Sequence, residues 1–323
     1  MYSPRFAINC FKTTQDNNVG DVIEPWMYPS IIPQIREAIK RRYELIPYLY
    51  SLALESHLAA IPPQRWIGWG HESDHEVWTT HLLRGEEQFW LGDSLLVGGV
   101  YESGRNTARV YLPGSGTPIR PSNSPPSPPP TTDRATPLEG YINLTAPHDH
   151  LMAGQWANIA SEWHVSIPIL AKIGGAIPVG KPVPTSSPLE DKTKFSSLSP
   201  DDYRGVEIFP PKRSSNGKVW TNTWYEDDGL SADPVISRFT IEYSCTEEDI
   251  SIRFTPKIED NGFVPLWKEL DIILPVGDNR KVVLEDDSKA PAAPVGKDRK
   301  ERMVFRIPVL VRRSGHHGEQ ERK

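Results

Sequence analysis

Ile31-Ile-Pro-Gln-Ile-Arg-Glu-Ala-Ile-Lys-Arg-Arg-Tyr-Glu-Leu-Ile-Pro-Tyr-Leu-Tyr-Ser-Leu-Ala-Leu-Glu-Ser-His57 is the one stretch of this sequence with a strong helical period. From Ile31 the pattern recurs at Ile35, Ile39, Tyr43, Ile46, Tyr50, Ala53 and His57, steps of three and four that trace one continuous face. Lys40, Arg41, Arg42 and Glu44 crowd the opposite side. Pro47 has no N–H and its ring presses on the preceding turn, so a kink is expected there. Leu45, the run Tyr48-Leu49-Tyr50, Leu52 and Leu54 make the second half too apolar for a surface helix, and it needs cover. A chain with this single helical segment must build the rest of its core from strands.

Working outward, the character changes after about Trp90. Ser94–Val97 and Ala108–Leu112 read as short strands, and Glu139–Leu144, Ser166–Leu170 and Gly175–Val179 complete a small β unit. Gly205–Phe209, Thr223–Tyr225, Arg238–Ser244, Asp249–Phe254, Glu269–Leu274, Lys281–Leu284 and Met303–Ile307 follow, most of them alternating in period two. That alternation is the pattern of a β-sandwich with one wet face. The 32 prolines, about twice the ordinary share, agree with little helix. Pro118 to Pro137, with Ser127-Pro-Pro-Pro130 inside it, reads as a disordered surface insertion. Lys181 to Asp202 reads as a linker, and the charged tail from Arg312 as frayed.

The 323 residues suffice for two or three domains. A net charge of −6 argues against a phosphate-seeking surface, hence against a nucleic-acid partner. Two distant cysteines, Cys10 and Cys245, indicate neither a disulfide framework nor a metal cluster. No apolar run is long enough for a membrane span, and Met1 to Cys10 lacks the pattern of a signal peptide. Asn143-Leu-Thr145 is a sequon that would matter only in a secreted chain.

Several local patterns imitate chemistry. Gly175-Ala-Ile-Pro-Val-Gly-Lys181 nearly spells a phosphate loop, but Pro182 stands where a metal-binding hydroxyl would be, so a strand ending in a turn is expected. Glu226-Asp-Asp-Gly229 lacks the further oxygen ligands of a calcium loop and reads as a turn at Gly229. His148 and His150 flank Asp149 without a third ligand in view, and His316-His317 sit in the tail, so no metal or cofactor is expected. Trp66, Trp69 and Trp78 have no regular period; they pack beneath a loop, or they offer flat faces to a sugar.

Consecutive motifs, in order, resemble the C-terminal part of glycoside hydrolase family 31. Ser3-Pro-Arg-Phe-Ala-Ile-Asn9 resembles the barrel strand that ends in that family's substrate-binding histidine. Glu24-Pro-Trp-Met-Tyr28, Ile35-Arg-Glu-Ala-Ile39 and Arg42–Leu52 resemble the following helix. Phe89-Trp-Leu-Gly-Asp-Ser-Leu-Leu-Val97 and Val110-Tyr-Leu-Pro113 resemble the start of the proximal sandwich. Ile167–Pro178 and Tyr225-Glu-Asp-Asp-Gly229 resemble later markers.

The resemblance implies a mixed α/β and β fold: a C-terminal remnant of a (β/α)8 barrel over 1–88, a proximal β-sandwich with the Pro-rich insertion over 89–185 and a distal β-sandwich over 186–323. It implies retaining hydrolysis of α-linked glycosides by an α-glucosidase or α-xylosidase, with two aspartates as nucleophile and acid, and a carbohydrate as partner. Both aspartates precede the segment matched here, and nothing resembles the nucleophile's Trp-x-Asp-Met-Asn setting, so the chain is expected to be inactive alone. Asp93 belongs to the sandwich motif and is not the acid. Asn9 stands in the histidine's place and can still bond a sugar hydroxyl; Arg5 substitutes for a family arginine whose position is taken by Ala7. The alternative is a non-catalytic carbohydrate-binding or regulatory β-sandwich protein.

Overall fold

Strands outnumber helices in the computed structural model, which describes residues 29–85, 87–100, 104–115, 138–162, 167–182, 201–259, 262–285 and 291–309. The helical segment comes first, after a 3-10 turn at Pro29–Ile31: α1 spans Ile32–Glu44 and α2 spans Ile46–Ala59. The expected kink is a full break at Leu45, with Pro47 in the first turn of α2, where a missing N–H costs no intrahelical bond. Ala60 closes α2 in the left-handed conformation (φ 55°), and its amide donates to the Ser56 carbonyl.

The covered face of α2 is not the one its period marks. In α2 the buried residues are Tyr48, Ser51, Leu52 and Leu54, with Leu45 just before them. Ile46 and Tyr50, on the face read as continuous with α1, are 49% and 40% exposed.

Contacts divide the chain into two units, the first comprising Met1–Glu44, Pro63–Ile173 and Pro182–Pro188, the second Leu45–Pro62, Gly174–Lys181 and Leu189–Lys323. In the first, β1 (Gln64–Arg65), β2 (Phe89–Leu91), β3 (Leu95–Val97), β5 (Gly140–Asn143), β6 (His150–Met152) and β8 (Ile169–Lys172) form a sheet in the order β1-β2-β3-β8-β5-β6. A two-stranded sheet pairs β4 (Thr107–Leu112) with β7 (Gln155–Ala160). Trp90, Leu96, Tyr141 and Leu170 from the larger sheet meet Val110, Leu112 and Ile159 from the smaller one in a shared core. Strands β6 and β7 escape the sequence reading because their burial does not alternate: Met152 and Ala160 are exposed and only Ile159 is fully buried.

The second unit opposes a five-stranded and a four-stranded sheet. The five-stranded order is β16-β17-β14-β10-β9, with β9 (Ala176–Val179), β10 (Arg204–Ile208), β14 (Glu269–Ile273), β16 (Ala293–Lys297) and β17 (Met303–Pro308). The other runs β11 (Trp220–Glu226), β12 (Ser237–Cys245), β13 (Asp249–Lys257), β15 (Lys281–Leu284). Val206, Ile208, Leu270, Ile272, Phe305 and Ile307 from one sheet pack against Trp224, Phe239, Ile241, Ile250 and Ile252 from the other. This is the expected sandwich core, with period-two burial along β12 and β13.

β9 differs from its expected place in the small middle unit: it pairs antiparallel with β10, residue Val206 opposite Pro178. After Val179 the described residues Gly180 to Pro182 are not helical. α2 lies against β11 and β9, where Ser51 Oγ accepts from the Tyr225 amide at 3.0 Å. Tyr50 Oη donates to Asp227 at 2.6 Å, and that bond and burial push its pKa up to about 12. Each large apolar side chain that α2 buries contributes roughly 1.5–3 kcal/mol. Asn9, Arg5, Ala7, Cys10 and the Pro118–Pro137 insertion lie outside the described residues.

Candidate functional site

Trp66, Trp69 and Trp78 occur in one loop of the first unit that runs from β1 to the 3-10 turn His75–Trp78. A ladder of short-range bonds folds it: the Trp69 amide donates to the Trp66 carbonyl, His71 to Gly68 and Asp74 to His71, all at 2.8–2.9 Å. The Trp66 and Trp78 rings sit 4.8 Å apart at 58°. Both indole N–H groups are engaged, Trp66 with the Leu82 carbonyl at 3.3 Å and Trp78 with the Glu72 carbonyl at 2.9 Å. A Cβ at residue 68 would overlap the Trp66 ring, so only glycine allows the indole to lie there.

Asp74 anchors the loop. Its side chain is buried, one oxygen caps the 3-10 turn by accepting from the Glu76 amide, and the other accepts from Tyr111 Oη at 2.7 Å and the Gly114 amide at 3.0 Å. Burial and this carboxylate push the Tyr111 phenol well up, so it stays a donor. Gln88 fixes the same strand through both backbone groups of Tyr111, at 2.8 and 2.9 Å.

Behind the loop, His71 stacks on Trp90 with ring centres 5.7 Å apart. Its Nδ1 lies 3.1 Å from the Gly114 carbonyl and its Nε2 3.3 Å from Lys172 Nζ. Burial first, and then the Lys172 ammonium, hold its pKa below the ordinary histidine value. The neutral tautomer with the proton on Nδ1 satisfies both neighbours.

At the rim the chemistry is polar. Glu72 accepts from the Gly70 amide at 3.0 Å, and backbone amides keep its carboxyl below the usual range, so it is charged at neutral pH. Glu76 accepts from Trp156 Nε1 at 2.9 Å, and the Arg109 guanidinium lies 4.3 Å from the Trp156 ring centre. Trp156 is the residue sequence reasoning missed here; it lies far along the chain, and only the pairing of β7 with β4 brings Gln155–Ala160 beside Tyr111.

Residues 60–120 match the sequence model of the glycosyl hydrolase family 31 C-terminal domain. Human neutral alpha-glucosidase AB is 38% identical over 96 residues, 29% of this chain and 9% of the relative. A probable glucan 1,3-alpha-glucosidase of Oryza sativa subsp. japonica is 37% identical over 92 residues, 28% of this chain and 10% of the relative. Among solved structures, a family 31 dextranase of Flavobacterium johnsoniae complexed with isomaltotriose superposes with a TM-score of 0.56 at 20% identity, covering 91% of this chain and 34% of the dextranase. Residues 60–120 are thus similar to a family 31 C-terminal domain.

The aligned stretch thus spans about a tenth of those curated relatives, and the whole chain about a third of the dextranase. An α-1,4-glucan lyase of Gracilariopsis lemaneiformis shares the fold at 13% identity and a TM-score of 0.59, over 88% of this chain and 27% of the lyase. One fold therefore accompanies a hydrolase name and a lyase name, and fold alone assigns no reaction.

The motifs that resemble the family have structural work. Asp93, in the turn between β2 and β3, pairs with the buried Arg65 guanidinium of β1. In Tyr225-Glu-Asp-Asp-Gly229, Glu226 is buried and receives Arg204 through two bonds at 2.8 and 3.0 Å, Trp224 Nε1 at 2.9 Å and Trp267 Nε1 at 3.2 Å. Asp227 and Asp228 accept from Gly229, Leu230 and Ser231 amides, and Gly229 has φ +65°, the expected turn. Period two along β11 puts Trp224 and Glu226 on one inner face, a signal that was available in the sequence.

His148 and His150 do other things: His148 lies at a turn with Nδ1 3.3 Å from the Asn143 carbonyl, and His150 pairs with Ile142. The sequon asparagine, Asn143, is 2% exposed, and its Oδ1 accepts from the Thr145 amide and hydroxyl. In the folded chain it has no room for a glycan.

Proposed function

We propose that this chain is the C-terminal part of a retaining α-glycosidase, an α-glucosidase or α-xylosidase acting on O-glycosidic bonds, and that it is inactive alone. The observation that carries this is the family 31 match through residues 60–120, the stretch holding Arg65, the tryptophan loop and Asp93. Residues 1–88 are read as barrel, 89–185 as proximal and 186–323 as distal sandwich, with α2 and β9 contributing to the last. Asn9 and Arg5 are assigned to sugar hydroxyls, the carbohydrate being an α-linked glycoside. Covalent catalysis and general-acid help need two positioned carboxylates, and no pair among these residues resembles the family's.

Nitrophenyl α-glucoside and α-xyloside test this directly. The purified chain should release no nitrophenol above background. Adding the polypeptide that carries the two family aspartates should restore turnover, and Asn9→Ala should then raise KM. Turnover by the chain alone that is lost on replacing one of its own carboxylates would overturn the assignment. A non-catalytic carbohydrate-binding role is the second reading, favoured by the exposed rings of Trp69 and Trp78.

A further inference from the structure

Trp69 and Trp78 are 40% and 49% exposed, although indoles are among the side chains with most to gain from burial. They are not loose. The Trp78 ring packs on Trp66 and its N–H is tied to the Glu72 carbonyl, while Trp69 follows the Trp66 turn with the Arg65 guanidinium 5.7 Å from its ring centre. The indole donor of Trp78 is satisfied within the loop, and about half of the side chain stays exposed.

What surrounds the rings narrows the occupant. Gly70, Glu72, Ser73 and His75, which lie between the two tryptophans in sequence, are all exposed. A protein partner would call for a continuous apolar patch with charge depleted at its centre. Exposed aromatic rings on a loop that also carries an exposed carboxylate, hydroxyl and imidazole suit a pyranose, which has apolar C–H faces and a rim of hydroxyls. Held rigidly before binding, such rings lose little freedom on contact.

We propose that the Trp66–Trp78 loop is a carbohydrate-binding site in which the Trp69 and Trp78 faces stack on sugar rings and Glu72 accepts from sugar hydroxyls, the ligand being an α-linked gluco-oligosaccharide. The choice of α-linked glucose rests on the glycosidase reading above; the stacking chemistry does not.

Native gels containing dextran or soluble starch test it with the full 323-residue chain. The unaltered chain should be retarded by at least one of these glucans, and Trp78→Ala should bind about tenfold more weakly, with Trp69→Ala in the same direction. Trp78→Phe, which keeps a ring face but loses the N–H, should retain most of the retardation. Melting curves accompany each variant, so that loss of binding in a folded protein is distinguished from unfolding. No retardation by either glucan overturns the site. Retardation unchanged in both alanine variants moves carbohydrate binding elsewhere and overturns this loop, leaving the glycosidase reading intact. A concentration-dependent dimer abolished by Trp78→Ala makes the face a self-contact instead and also overturns it.

Discussion

Trp224 and Trp267 of the second unit and Trp69 and Trp78 of the first put the same side chain to opposite uses. The former are 2% and 1% exposed and both donate to one carboxylate, Glu226, which Arg204 neutralises. The latter face water, and Trp78 donates to a backbone carbonyl of its own loop. Burying an indole is favourable only where its N–H finds a partner inside. Trp224 and Trp267 find that partner at an inner strand position, whereas Trp78 finds it six residues away in its own exposed loop. The location of the acceptor therefore separates a tryptophan that fills a core from one that presents a face.

The comparison breaks most readily at Glu226. Glu226→Ala strands the Arg204 guanidinium, 2% exposed, with Asp201 at the surface as its remaining partner, and removes the acceptor of both buried indoles. Unfolding in urea should show a loss of about 3–5 kcal/mol, the range for a broken buried pair. A loss under about 1 kcal/mol, typical of an exposed pair, would mean that Arg204 is not dependent on Glu226.

Asp74 sharpens the other side. Asp74→Ala removes the acceptor for Tyr111 Oη and for the Gly114 and Glu76 amides, at an expected cost of roughly 2–4 kcal/mol. Asp74→Asn keeps one carbonyl oxygen and should lose less. Tryptophan fluorescence during thermal melts reads the result, because the loop's own indoles report its release. If the signal from the loop is unchanged while the protein melts earlier, Asp74 supports the sheet and not the loop.

The smallest effect concerns pH. His71 titrates below its ordinary value of 6.5 in the fold, through burial and Lys172, against the weaker opposing pull of Asp74 and Glu139. Above pH 6.5 the imidazole is neutral folded and unfolded, and its contribution is complete. As pH falls below that value the unfolded chain takes up the proton first, so stability declines until the folded pKa is passed. Melting temperatures of the parent and of His71→Asn, compared between about pH 7.5 and about pH 5, should show the steeper decline in the parent. Equal slopes would mean that neither burial nor Lys172 lowers the His71 pKa in the fold.

Much of the sandwich was legible because alternation along β12 and β13 is a local property, and Lys281–Leu284 emerged with the same bounds as β15. β16 was not legible: Pro294 argues against a strand, and only its place at a sheet edge, where a missing donor is tolerated, permits it. The helical segment was half legible. Its period was plain, yet Pro47 splits it, and the buried residues of α2 follow β11 and β9 instead of the face of α1. In the candidate loop the three tryptophans stood out in sequence, whereas Trp156 and the Asp74–Tyr111 bond join residues 80 and 37 positions apart or belong to such a join.

The sequence by itself determined the β-rich fold class, the family markers and the turn at Gly229, because strand alternation, motif order and a positive φ are each expressed within a few neighbouring residues. Only the tertiary structure decided that Glu226 lies between Arg204 and two indoles, that Asn143 is closed to modification and that Trp78 faces water. Those outcomes depend on which distant groups arrive to share a charge or fill a volume. Strand pairing and sheet packing set those arrivals, and a local window of sequence does not contain them.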